Sequence, residues 1–174
     1  FLHMYMQTYK SYKMENKPIF PTEEVTLPSK GLIYPKNNPL SKGVLEMKYM
    51  TAKEEDILTN QSYIKNGTVI DKLLKSLIIT PIDYNDIIVG DKNAIMIAAR
   101  VLGYGKDYTF NLDGEDHTVD LTEVKDKELK EKDLLSKGQN EFEFTLPTTK
   151  KAITFKILTH GDERKIENEI KGIK

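Results

Sequence analysis

Cysteine is absent from this sequence of 174 residues. That absence removes disulfides, thiolate zinc sites and cysteine nucleophiles together, and it fits a reducing compartment. Arginine is nearly absent as well, since only Arg100 and Arg164 stand among the 26 basic residues. The remainder are lysine, the weaker residue for bidentate reading of phosphates and bases. An AT-rich genome, which favours Lys, Ile and Asn codons, is one source of that bias. No apolar run reaches membrane-spanning length. The N-terminus has no apolar core followed by a small-residue cleavage site, so no secretory signal is expected. With 27 acidic residues against 26 basic, the net charge of −1 supplies no global field toward nucleic acid or an anionic membrane. These absences predict a protein made and used in a cytoplasm.

What is present is enough for one domain with a real core plus an arm. Its centre is Asp86 to Gly105, DIIVGDKNAIMIAARVLGYG. Asp91 sits where an N-cap belongs, and Gly103 is a ready left-handed stop. Between them Ala94, Ile95, Met96, Ile97, Ala98, Ala99, Val101 and Leu102 leave no polar face wider than Arg100. A helix apolar all round is a buried helix, so about 92–102 is expected to form the middle of the core. Arg100, costly to bury alone, should reach a carboxylate or the surface.

Other elements follow from period and punctuation. Residues 1–22 mix aromatics and methionines at no clear period and read as an extended N-terminal arm. Two readings of it stand, a partly disordered or cloning-derived segment and an arm that docks on a partner subunit; Met14 is a candidate natural start. Residues 23–174 are expected to be a single α+β domain. Prolines 28 and 35 bracket an extended segment with a turn at Ser29-Lys30-Gly31. Leu45, Met47 and Tyr49 alternate with Glu46 and Lys48, which predicts a half-buried strand. Thr51-Ala-Lys-Glu54 is a capping box opening a short helix to about Asn60. After the Asn66-Gly67 turn, pairs at Val69/Ile70, Leu73/Leu74 and Leu77/Ile78 predict an amphipathic helix over 68–78, ended by Pro81.

Two β-hairpins follow the central helix, at about 107–121 and 141–158. In the first, Asp113-Gly114 is a favoured type I′ pair, and a two-residue loop sets Phe110 opposite His117 and Tyr108 opposite Val119. In the second, Phe142, Phe144 and Leu146 alternate, as do Ile153, Phe155 and Ile157. The charge-rich stretch 122–140 between them reads as a solvated helix or linker. Thr159-His-Gly-Asp162 caps a charged final helix from Glu163 to about Lys171, where no C-cap follows, so the natural chain is expected to continue.

Chemistry is sparse. His3, His117 and His160 are far apart and fit no metal pattern; His117 reads as a cross-strand partner of Phe110, and His160 as a first-turn residue. Gly103-Tyr-Gly105 follows a helix, whereas a dinucleotide fingerprint follows a strand. Asp113, Glu115, Asp116 and Asp120 lack the spacing of a calcium loop. Lysines 125–137 are interleaved with equal acid and have no aromatic stripe. The residues therefore predict no catalytic site, no metal, no cofactor, no nucleic-acid partner and no membrane-spanning segment.

Four stretches taken together carry a resemblance: Thr26–Tyr34 (TLPSKGLIY), Met50–Thr59 (MTAKEEDILT), Val89–Gly105, and Phe144–Glu163 with its FTLP and ITFKILTHGDE segments. In order and spacing they resemble the T4-like bacteriophage baseplate protein family, whose T4 member is called a baseplate hub subunit. The resemblance covers roughly residues 25–165. It implies a non-catalytic structural or assembly component of the baseplate hub of a contractile-tailed phage. Its place would be the tail baseplate of the virion, assembled in the host cytoplasm. Other hub or tail proteins, the tape-measure protein and further copies of the chain would be its partners. The alternative it leaves open is a transient assembly chaperone absent from the mature virion. The resemblance further implies fold or interface roles for Pro28, Ser29, Gly31 and Tyr34, for Asp91, Asn93, Arg100 and Gly103, and for Thr159, His160, Gly161 and Asp162. Relatives with a cysteine pair near the first hairpin differ from this chain, where Asp113-Gly114 makes the turn and zinc is excluded there.

Overall fold

The computed structural model describes residues 20–125 and 138–173. Most of the N-terminal arm and of the charge-rich segment, 1–19 and 126–137, lies outside the described residues. Strand β1 (Thr22–Thr26) pairs antiparallel with β2 (Val44–Lys48), Val25 facing Leu45. β1 thus begins at Thr22, the last residue assigned to the arm. Helices α1 (Ala52–Thr59), α2 (Gln61–Lys65) and α3 (Val69–Leu77) follow, then the long α4 (Val89–Tyr104). Hairpins β3 (Asp107–Leu112)/β4 (Glu115–Asp120) and β5 (Phe142–Thr145)/β6 (Ala152–Phe155) precede α5 (His160–Gly172). Among the described residues, five α-helices and three two-stranded antiparallel sheets make the fold mixed α+β.

The turn expected at Ser29-Lys30-Gly31 forms, with Lys30 and Gly31 both left-handed at φ 50° and 73°. Gly31 is required there. A Cβ on it would run into the Ser41 carbonyl and lie 2.6 Å from the Gly43 nitrogen, closer than any side chain can be accommodated without moving backbone. Asn38 caps a short 3-10 turn, Pro39–Lys42, that returns the chain to β2.

The core is a cluster of Leu27, Ile33, Leu40, Leu45, Met47, Leu73, Leu74, Leu77, Tyr84, Ile87 and Ile95 with their neighbours. The leucine pairs at helical spacing place α3 as expected, with Leu73, Leu74 and Leu77 buried. In β2, however, Lys48 is buried while Tyr49 lies past the strand end and is exposed. The strict alternation expected there fails at its end because the Lys48 ammonium has a buried partner, the Glu54 carboxylate, 2.8 Å away.

The central helix departs from expectation in three ways. Its N-cap is Ile88, and Asp91 lies inside the first turn, because the Asp91 carboxylate is drawn to the 27–34 loop instead of to its own helix amides. Gly103 stays helical and the chain leaves at Gly105, φ 82°. Gly103 is not the stop; it lies inside the helix against the Met50 side chain, whose terminal methyl a Cβ would approach to 2.6 Å. Finally, only Asp91, Ile95 and Ala99 form a fully buried stripe, and the other apolar residues of α4 are half-buried. The core centre is therefore the β1–β2 and α3 layer, with α4 laid along it. Among the described residues Arg100 meets no carboxylate; it donates to the Gly105 and Asp107 carbonyls at 3.1 and 3.4 Å and lies over the Tyr104 and Tyr108 rings.

Ile95 is wholly excluded from solvent. Replacing it with aspartate strands a charge in the core, so Ile95→Asp should destabilise by at least about 4 kcal/mol and lower Tm steeply. An unchanged thermal melt would displace Ile95 from the core.

Candidate functional site

One polar joint is the Asp91 carboxylate, fully buried in the first turn of α4. It accepts from the Ser29 amide (3.0 Å), the Ser29 hydroxyl (2.7 Å) and the Tyr34 hydroxyl (2.7 Å). Tyr34 Oη in turn accepts from the Ile88 amide at 3.1 Å, one of the donors that a helix start leaves without an intrahelical partner. The Gly31 amide donates to Ser29 Oγ. Burial, then the adjacent Asp91, push the Tyr34 hydroxyl far above its ordinary range, so it remains a donor. The positive end of the α4 dipole adds to what these donors supply.

A second polar joint lies at the start of α1. Glu54 is fully buried and accepts from Lys48 Nζ (2.8 Å), Ser76 Oγ (2.6 Å) and the Thr51 amide (3.1 Å). Burial raises the Glu54 carboxyl, but hydrogen bonds from Lys48, Ser76 and Thr51 outweigh it and hold it at about 2. The capping box is thus also a tie between β2, α1 and α3. The Glu54 amide bonds the Thr51 carbonyl at 2.9 Å, while the carboxylate reaches back to the cap.

The third joint binds the two helix starts. Val89 donates to the Leu158 carbonyl and His160 to the Ile87 carbonyl, at 3.0 and 2.8 Å, forming a short antiparallel bridge. Thr159 caps α5 as expected, with Asp162 closing the box onto the Thr159 amide. Lys156 holds the Asp162 carboxyl at about 2. Gly161 lets α5 approach the 3-10 turn Tyr84–Asp86, where an added Cβ would lie 3.2 Å from Asn85.

His160 is far from a plain first-turn residue. It is buried beneath a cleft of about 340 Å³ between α3, α4 and α5. The Lys92 ammonium sits 3.1 Å from Nδ1, and Nε2 lies 3.3 Å from Asp71 Oδ2 without a hydrogen bond. Lys92 also reaches Glu163 (3.3 Å) and Asp71 (3.7 Å). The Tyr84 ring packs edge-on against the imidazole at 4.6 Å, and its hydroxyl donates to Asp71 at 3.1 Å. An ammonium can only donate, so Nδ1 accepts and the ring proton sits on Nε2, facing Asp71. Burial lowers the His160 pKa, Asp71 opposes that, and Lys92 and Lys75 reinforce it. Among the described residues no group of three or more His, Cys, Asp or Glu is placed to hold a metal, and no helix is long and apolar enough to cross a membrane.

Of the residues marked by sequence, Ser29, Gly31, Tyr34 and Asp91 come together in one knot, and Thr159, His160, Gly161 and Asp162 in another. Pro28 is half-buried in the turn beside Ser29. Asn93 points to solvent at the cleft edge, while Arg100 and Gly103 sit on the far half of α4. The residues that sequence reasoning missed are Asp71, Tyr84 and Lys92. The i to i+3 spacing of His160 and Glu163 was their one local sign, because the other partners arrive from three separate elements.

The remaining feature is apolar. Register puts Tyr108, Phe110 and Leu112 on one face of β3–β4 with His117 and Val119, and Phe142, Phe144, Ile153 and Phe155 on one face of β5–β6. Phe110 stacks on His117 as expected (5.8 Å), and Phe142 on Phe155 (5.4 Å). Most of these side chains face solvent, Leu112 at 55%, Phe144 at 50% and Phe155 at 51% exposure. No protein family, curated protein or solved structure matches this chain.

Two expectations arise from these joints. Tyr34→Phe and Asp91→Asn should each cost about 1–3 kcal/mol in chemical denaturation, with the double variant clearly less than additive because both break the same network. Full additivity would separate the two groups. For His160, a lowered native pKa means the unfolded chain binds the extra proton first, so stability present above the ordinary value of 6.5 is lost as pH falls below it. Tm should decline as pH falls below the ordinary histidine value of 6.5 in the natural chain, and His160→Gln should flatten that decline. An unaltered slope in the variant would remove His160 as its source.

Proposed function

We propose that this chain is a structural or assembly component of the baseplate hub of a contractile-tailed phage, acting through protein–protein contacts and not through catalysis. The observation that carries the reading is the ordered set of four stretches resembling the T4-like baseplate family. Their placement supports it. Stretch 26–34 meets stretch 89–105 at Asp91, stretch 144–163 meets it where the Val89 amide donates to the Leu158 carbonyl, and stretch 50–59 meets it where Met50 abuts Gly103. Residues shared with a family for the sake of its fold belong at such joints, whereas residues shared for the sake of a reaction converge on a reactive pocket. The exposed apolar hairpin faces are further support, since faces of that kind mark contact surfaces. Hub, tail or tape-measure proteins are the partners this reading names, with the virion baseplate as the place.

Quantitative mass spectrometry of purified virions is the test. A fixed stoichiometric ratio to other baseplate proteins is the expected result. Presence in tail-assembly intermediates but not in virions would replace the structural role with that of an assembly chaperone. Absence from both would overturn the reading.

A further inference from the structure

A two-stranded hairpin is marginal by itself in water and needs a covered apolar face. Among the described residues there are two such hairpins, and their apolar faces are largely exposed. Their charges differ in sign. Residues 107–120 hold five acids (Asp107, Asp113, Glu115, Asp116, Asp120) and no lysine or arginine. Asp113, Glu115 and Asp116 crowd the exposed β3–β4 tip. The tip of β5–β6 instead presents Lys150 and Lys151, both exposed, with Glu143 the single acid in residues 142–155. Each hairpin therefore joins an aromatic face to a charged end, and the two ends are complementary.

We infer that the occupant of these faces is a second copy of this chain, docked head to tail. The aromatic face of β3–β4 on one copy covers the aromatic face of β5–β6 on the next, with the acidic tip against the basic one. Burial of Tyr108, Phe110, Phe144 and Phe155 supplies the attraction. The tips fix orientation and disfavour pairing of like hairpins, because acid on acid and lysine on lysine repel. Two different surfaces on one molecule make the contact heterologous. Repetition then gives a closed ring if the rotation closes and a filament if it does not. The inference stands on the hairpins alone and holds or fails independently of the baseplate reading.

Concentration-dependent sedimentation of the full chain tests it. One variant combines Asp113→Asn, Glu115→Lys and Asp116→Lys, with asparagine retaining the left-handed turn position. The other combines Lys150→Asp with Lys151→Glu, for the same reason at Lys150, whose φ is 55°. The natural chain should self-associate. Each variant alone should need at least about tenfold higher concentration to do so, and an equimolar mixture should recover association to within about threefold. Only a contact between unlike hairpins predicts that recovery. Unchanged melting curves verify that both variants are folded. A monomeric natural chain, variants that associate normally, or a mixture that stays dissociated would each overturn the proposal. Crosslinks from either face to residues 1–19 in a monomer would overturn it in favour of the arm.

Discussion

A buried carboxylate with no cation beside it is the constraint that the described fold is arranged to satisfy. Among the described residues no ammonium or guanidinium lies at ion-pair distance from Asp91. Removing such a group from water costs several kcal/mol. Three hydrogen bonds, each about 1.5–3 kcal/mol when the acceptor is charged, offset that cost if all are made together. Making them requires the 27–34 loop to press on the start of α4, which in turn requires two consecutive left-handed residues and a glycine touching the 41–43 backbone. The knot is therefore specific before it is stabilising. A loop of another shape would leave the carboxylate without donors.

The molecule then divides into two kinds of structure. Around Asp91, Glu54 and His160, polar groups from distant elements are brought together, and the apolar core lies between them. Beyond α4 the two hairpins are local in sequence and open to solvent on both sides. Arg100 marks the border: its guanidinium covers Tyr104 and Tyr108 and bonds the carbonyls at the helix exit, so it anchors the root of the first hairpin. The hairpins leave their apolar residues exposed.

Local pattern made some of this legible. The register of β3–β4 follows from Asp113-Gly114 alone, and the leucine pairs of α3 and the Thr159 cap are equally local. Sequence failed where tertiary partners override local preference. Asp91 has the chemistry of an N-cap, yet Ser29 and Tyr34, 62 and 57 residues away, hold it inside the helix. Gly103 looks like a stop because nothing nearby in sequence reveals Met50. Lys48 fits the polar side of a strand until Glu54, folded back beside it, offers a buried partner. The His160 cluster was invisible because Asp71, Tyr84 and Lys92 belong to three elements. An apolar pattern also cannot tell a face covered by its own chain from one left open, which is why the hairpin faces emerged only in three dimensions.

The separation between Ser29 and Asp91 has a consequence for how the protein is made. A growing chain emerges from its N-terminus, so the 27–34 turn and the β1–β2 pair leave the ribosome long before the carboxylate that fastens them. Until residue 91 has cleared the exit tunnel the first layer has no lock, and closing so long a loop adds an entropic cost that grows with the logarithm of its length. The bridge from Ile87 to His160 extends the wait, because its second half follows Asp91 by several elements. Each hairpin, being local, is free to form as soon as its own turn emerges.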